Sequence, residues 1–256
     1  MNIVKHNSAA WDKQVSQGNK WTVPVSAREI EDAKNGKAKF LLTPTKLVPQ
    51  SWYGDVKGKN ILCLASGGGQ QGPLFAAMGA NVTVFDNSPA QLEKDIFVAS
   101  RENLNIKTVQ GDMRDLSAFA DGEFDLIFHP VSNCFVDDIL PVWKECYRVL
   151  KRGGVMLAAF ANPISYIFDF KHWDNTKELV VRYKVPYSDT KQLPKHELED
   201  KINNCEPLDH GHTLEDQIAG QLNAGFVLTG LYEDGSGGDL LDPYIEAYIA
   251  TKAEKH

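Results

Sequence analysis

Residues 61–72, ILCLASGGGQQG, decide the fold. A short apolar run from Ile61 to Leu64 breaks into small residues and glycines, then gives way to a helical pattern carrying Leu74, Phe75 and Met78. A strand that ends in glycines leaves backbone N–H groups and bare Cα atoms at its carboxyl end, where a nucleoside-sized ligand can touch main chain. The next apolar run, VTVF, closes on Asp86 fourteen residues beyond Gly72. A carboxylate ending that strand can accept hydrogen bonds from both hydroxyls of a ribose. Together the two features predict a nucleoside site without saying which nucleoside.

Outward from this stretch, apolar runs alternate with amphipathic patterns, the signature of a doubly wound parallel sheet. Strands are predicted at 60–65, 81–86, 107–110, 124–128 and 155–160. Ser88, with Pro89 at the first helical position and Gln91 three residues on, caps a helix running to Asn103. A second helix starts at Asp137 or Asp138, turns Val142, Cys146, Val149 and Leu150 to one face, and is expected to stop at Arg152, Gly153 and Gly154. Residues 161–211 break the rhythm with scattered aromatics and charges and read as an insertion or lid, in which 179–185 is a candidate strand. Thr213 with Asp216 caps a further helix, followed by strands at 226–232 and 244–251 joined by a glycine-rich turn. Because no helix separates those two, they are predicted to be antiparallel. Ahead of the first strand, Ser26 and Glu29 form another helix-capping pattern, and Trp11, Trp21, Trp52 and Tyr53 are core or cover for a site.

The expected fold class is thus α/β: a Rossmann-like, mostly parallel seven-stranded sheet with an antiparallel final strand, an N-terminal helical cap and an insertion after the fifth strand. A single domain is expected, divided into a cap (1–59), a cofactor-binding core (60–160), a lid (161–211) and a C-terminal helix and strand pair (212–256). Composition bounds the function. At 256 residues, 43% hydrophobic and 24% charged, the chain has the make-up of a globular domain, and no apolar run approaches the roughly 20 residues that cross a bilayer. A net charge of −7 disfavours nonspecific nucleic-acid binding. The N-terminus shows no targeting pattern, which makes the cytoplasm the default location. Four dispersed cysteines without a CxxC pair argue against zinc and a disulfide framework, and His210 with His212 lack a third ligand, so no metal is expected.

Gly67, Gly69 and Gly72 satisfy G-x-G-x-x-G on paper, which raises a dinucleotide-binding oxidoreductase as an alternative. The register is poor: Ala65 occupies the first turn position and Gly67 arrives two residues late. No second mononucleotide-binding half follows the fifth strand either. Residues 61–69 instead resemble the first motif of class I S-adenosylmethionine-dependent methyltransferases, with Ala65, Gly67 and Gly69 in the glycine positions. Asp86 matches that family's ribose-binding acid, and Gly111, Asp112 and Met113 match the segment that meets the adenine. FDLIF at 124–128 and RVLKRGG at 148–154 match its fourth strand and the turn into its fifth. Four motifs in order cover residues 55–160 closely and 224–251 more loosely, and the overall pattern is most similar to the small-molecule branch typified by ubiquinone and menaquinone C-methyltransferases.

The resemblance implies S-adenosylmethionine as cofactor and S-adenosylhomocysteine as product. It places Ala65, Ser66, Gly67, Gly68, Gly69, Asp86, Asn87, Gln91, Gly111, Asp112, Met113 and His129 around the cofactor. The acceptor implied is a small molecule. In-line displacement at a sulfonium needs positioning and dryness more than a triad, and the candidates for proton handling are His129 and Asn133, just past the fourth strand. A fold retained without turnover is a third reading. Two departures stand out: Cys63 replaces a frequent acid, and Ala65 replaces a glycine, which costs little provided that φ there is negative.

Overall fold

In the computed structural model, which describes residues 2–239 and 241–256, three helices precede the sheet: α1 (Ile3–Ser16), α2 (Ala27–Lys34) and the short α3 (Gln50–Tyr53). The chain then alternates through β1 (Asn60–Leu64), α4 (Gln71–Ala77), β2 (Asn81–Asp86), α5 (Pro89–Glu102), β3 (Ile106–Gln110), β4 (Phe124–His129), α6 (Leu140–Val149) and β5 (Leu150–Ala161). The insertion follows, with α7 (Phe170–Thr176), β6 (Tyr187–Ser188), α8 (Asp189–Gln192), α9 (Lys195–Asn203) and β7 (His210–Gly211). The chain ends in α10 (Gly220–Ala224), β8 (Val227–Asp234) and β9 (Tyr248–Glu254).

Seven strands form one sheet in the order β3-β2-β1-β4-β5-β9-β8, with β9 antiparallel to both neighbours and the other pairings parallel. The predicted architecture is therefore present. Strand order reverses between β1 and β4, and in such sheets the crevice outside the strands' carboxyl ends at the reversal is where ligands bind. Side chains of β1 alternate across the sheet: Ile61 and Cys63 join a core with Phe40, Phe75, Val84 and Phe128, while Leu62 and Leu64 join a second core with Phe85, Leu116, Ile127 and Trp143. Burial on both faces is why these strands read as continuous apolar runs.

Helix starts follow the predicted caps. Ser26 and Glu29 make both bonds of a capping box, Ser88 Oγ accepts from the Gln91 amide at 3.1 Å, and Thr213 and Asp216 bond reciprocally. The last pair opens a wide π-type turn over 215–219 that passes into α10. Asp138 bonds the Leu140 amide at the start of α6.

Three expectations are corrected. Arg152, Gly153 and Gly154 do not end α6. The helix passes straight into β5 at Leu150, and residues 151–154 bulge between the Phe124–Leu150 and Leu126–Val155 pairings, with Gly153 at φ +76°. No strand forms at 179–185. That segment makes one bridge, Val181 to Phe168, and the strand pair of the insertion lies instead at β6 and β7. The final strand starts at Tyr248, not Tyr244.

Candidate active site

A cavity of about 770 Å³ lies over the carboxyl ends of β1, β2 and β4. Its first end is built by the glycine loop, Asp86 and the start of α5. Asp86 Oδ2 accepts from the Gly67 amide at 2.9 Å and Oδ1 from the Ser88 amide at 2.9 Å. Each carboxylate oxygen can accept two bonds and takes one of these, so acceptor capacity remains for a ligand. Burial raises the Asp86 carboxyl, and the Ser88, Gly67 and Asn87 amides oppose that shift. Gly67 is obligatory because a Cβ there would lie 2.7 Å from Gln91 Cβ and 3.2 Å from the Asp86 carboxylate. Gln91, which lines the cavity, carries a buried Oε1 with no partner. An orphaned acceptor at a cavity wall is a place where a ligand donor belongs.

Ala65, Ser66, Gly67, Asp86, Asn87, Gln91, Gly111, Asp112 and Met113 all line this cavity. Gly68 and Gly69 lie behind it, under the N-terminal segment. A Cβ on Gly68 would lie 3.0 Å from Trp21 O, and the Gly69 carbonyl accepts from the Val25 amide at 2.9 Å. Asn87 is tied to α1, its Nδ2 donating to Val4 O at 3.3 Å while its carbonyl accepts from Ser8 Oγ at 2.7 Å. Asp112 pairs with Arg114 at 2.7 Å, which also reaches Asp137. Ala65 has φ +46°, so the condition under which alanine would cost little there is not met. The loop turns left-handed at its first position, and an alanine is held where glycine is comfortable.

His129 and Asn133 are not brought to the cavity. His129 is fully buried, donates from Nδ1 to Leu64 O at 3.0 Å and lies edge-on to Trp143. Burial lowers its pKa to about 4, so the ring is neutral near pH 7. Asn133 is equally buried and its Nδ2 donates to Gln217 at 2.9 Å. Their neighbours Pro130, Ser132 and Cys134 line the cavity instead. His212, far from a metal role, donates from Nε2 to Asn133 O and Val136 O at 3.1 Å. Among the described residues no cluster of three metal-binding side chains occurs.

Sequence reasoning missed Asp95. This residue of α5 is fully buried, and its Oδ2 accepts from the Gly68 and Gly69 amides at 3.0 and 3.1 Å. Desolvation dominates the two opposing backbone bonds and pushes its carboxyl up to about 8. Cys63 stands beside it in the core, its thiol pushed up by burial and by the Asp95 charge. The carboxylate expected on β1 at position 63 is absent, and one from α5 holds the glycine loop. The available signal was an aspartate on the inward face of α5, in register with Leu92 and Val98.

The second end of the cavity is lined by Cys134, Ala161, Tyr166, Asp209 and Tyr248, and its cover by residues of the N-terminal segment, including Trp11, Trp21 and Leu41. The insertion therefore meets the sheet here, where Ala161 of β5 pairs with Tyr248 of β9.

A doubly wound sheet with a glycine loop, an acid closing β2 and a roofed cavity at the strand-order reversal defines a nucleoside-cofactor protein of the Rossmann-like class. A family described as "Methyltransferase domain" matches residues 62–158. The uncharacterized methyltransferase YbaJ of Bacillus subtilis (strain 168) is 53% identical over 253 residues, which are 99% of this chain and 98% of that one. Sterol 24-C-methyltransferase erg6 of Aspergillus fumigatus is 33% identical over 102 residues, 39% of this chain and 27% of its own. Among solved structures, an S-adenosylmethionine-dependent methyltransferase from Mesorhizobium loti superposes with a TM-score of 0.61 at 16% identity, covering 80% of this chain and 95% of that one, a likeness of fold. The chain belongs to the class I S-adenosylmethionine-dependent methyltransferases. The oxidoreductase alternative and the reading without turnover give way to it.

Proposed function

We propose that this methyltransferase modifies a small molecule enclosed in the cavity, with Asp86, Gln91 and the glycine loop holding the cofactor and the far end holding the acceptor. S-adenosylmethionine, when bound, supplies a methyl group on a positively charged sulfur. The protein's part is to orient the two ligands and exclude water. The carrying observation is one continuous cavity that joins Asp86 to Tyr166 and Tyr248. Its volume sits towards the upper end of the roughly 300–1,000 Å³ typical of small-molecule sites. Unpartnered Gln91 Oε1 and the free lone pairs of Asp86 fit a ligand rich in hydroxyl and amino donors. The sterol methyltransferase match covers under two fifths of this chain, so it carries no acceptor.

His129 and Asn133 take a positioning role in this reading. The His129 bond to Leu64 O ties the end of β4 to the end of β1, the two strands flanking the crevice. Residues 1–59 and 161–211 act as a roof over one domain, and the enzyme works in the cytoplasm, a location that suits its four free cysteines. Titration calorimetry tests the cofactor site. S-adenosylhomocysteine binds and NADH does not, and Asp86→Ala weakens binding by about 1.5–3 kcal/mol, the scale of hydrogen bonds to a charged group. Unchanged affinity in that variant would place the ribose elsewhere.

A further inference from the structure

At the acceptor end, the one carboxylate on the cavity wall belongs to Asp209, in the loop that leads into β7. Its side chain is 35% accessible, and Asp209 is among the residues that line the cavity. Oδ2 is bound by Lys201 Nζ of α9 at 3.1 Å. Among the hydrogen bonds of the described residues none uses Oδ1. Lys201 is itself shared, since Asp189 Oδ2 approaches it at 2.6 Å and also accepts from the Asp209 amide at 2.8 Å. Tyr187 donates to the other oxygen of Asp189 at 2.8 Å. One ammonium thus serves two carboxyl groups, and of the two only Asp209 lines the cavity. Burial raises the Asp209 carboxyl, Lys201 opposes this and Asp189 adds to it.

This group is held in place by the insertion's own architecture. β6 and β7 pair through Tyr187–Gly211 and Ser188–His210, which brings Asp189 under Asp209. Gly211 has no Cβ because the Tyr166 ring lies 2.5 Å from where one would be, and Tyr166 stacks on Tyr187 at 5.6 Å. The strand pair, Tyr166 and the Asp189–Lys201–Asp209 group form one packed unit beside Cys134 and Tyr248. Isolated surface ion pairs are worth little, but charges removed from bulk water act strongly on whatever shares their cavity.

We propose that Asp209, positioned by Lys201 and Asp189, is the residue that selects the methyl acceptor, and that the acceptor turns a hydrogen-bond-donating pole, an amine or a hydroxyl, towards it. Acceptors that turn a carboxylate or phosphate to this end are disfavoured, because they would set an acceptor-only group against a carboxyl whose one bonded ammonium is already shared with Asp189. The proposal rests on the assignment of this end of the cavity to the acceptor.

The test uses two probes of similar size and opposite charge, 2-phenylethylamine and 3-phenylpropionate, titrated into the full-length protein saturated with S-adenosylhomocysteine. 2-Phenylethylamine is expected to bind at least tenfold more tightly than the propionate. In Asp209→Asn, with S-adenosylhomocysteine affinity held within twofold, that preference should shrink to under threefold. Equal binding of the two probes, preference for the propionate, binding of neither, or an undiminished preference in Asp209→Asn overturns the proposal. The wild-type comparison stands even if the variant does not fold. Loss of S-adenosylhomocysteine binding in the wild type would overturn the cofactor assignment instead, so the two failures are distinguishable.

Discussion

Two residues under the glycine loop carry its peculiarities. Ala65, at φ +46°, pays a left-handed strain of about 1–2 kcal/mol that glycine would not. Glycine gives back some of that through the larger entropy of its unfolded chain, so Ala65→Gly is expected to stabilise the protein by about 0.5–1 kcal/mol in urea denaturation; a loss of stability would mean that Ala65 packing outweighs the strain. Asp95 has the opposite character, a carboxyl whose folded pKa of about 8 lies well above the ordinary carboxyl value of 3.8. The folded state therefore holds a proton that the unfolded chain releases. The stability linked to this group is fully present below about pH 4 and is lost as pH rises towards about 8. Asp86 is shifted in the same direction. Asp95→Asn keeps an oxygen for the Gly68 and Gly69 amides and has no proton to lose. Its denaturation midpoint should fall less than the wild type's between about pH 5 and 8, and parallel curves would show that Asp95 is ionised in the fold.

At the scale of elements, close packing between α4 and the sheet depends on Gly72, where a Cβ would lie 2.6 Å from Val84 Cγ2 and 3.2 Å from Asp95 Oδ1. Gly72→Ala must push the helix off β2, at about 1–3 kcal/mol by the usual cost of overpacking; a thermal melt within error of wild type would show that α4 shifts freely. The parallel strands and their capped helices were legible in the sequence because burial on two faces writes a continuous apolar run and a cap writes a fixed spacing. Arg152–Gly153–Gly154 was not, since paired glycines mark a helix end and a strand bulge alike, and only the pairing of Leu150 with Phe124 decides between them. The cavity wall was legible where backbone chemistry demands it, at Gly67, Asp86 and Gly111–Met113, which the structure brings to one cavity. Its support from Asp95 was not, since the partners lie 26 and 27 residues away. His129 and Asn133 sit at the right height on the sheet but face its interior, an orientation that a position past β4 does not specify. The far end was invisible for a related reason: Asp209, Lys201 and Asp189 come together through a two-residue strand pair too short to leave a period.

Across the whole molecule, the roof is a joint product of the two segments that lack the sheet's rhythm, and one fully buried side chain joins them. Asn7 of α1 donates from Nδ2 to Phe135 O at 2.9 Å, beyond β4, and to Leu208 O at 3.0 Å, in the insertion, while its Oδ1 accepts from the Leu208 amide at 2.8 Å. Around it α1 adds a bond from Lys13 to Asn204 O and one between His6 Nε2 and Glu206 O. The same helix grips the start of α5, where Asp12 accepts from Ser88 Oγ at 2.6 Å and from the Ala90 amide at 3.0 Å. α1 thus spans both ends of the cavity and ties the loop carrying Asp209 to the loop carrying Asn87. Asn7→Ala leaves the Leu208 amide and two carbonyls without their partner, a cost of about 1–3 kcal/mol. That cost should fall on local opening, because the sheet's two hydrophobic cores include no residue of α1. Hydrogen exchange is expected to quicken at residues 205–211 and in α1 while β1 and β4 keep their protection, with Ser16→Ala at the exposed end of α1 as the control. If β1 and β4 lose protection by the same factor as 205–211, the roof and the sheet unfold as one unit, and α1 is part of the core instead of a clasp upon it.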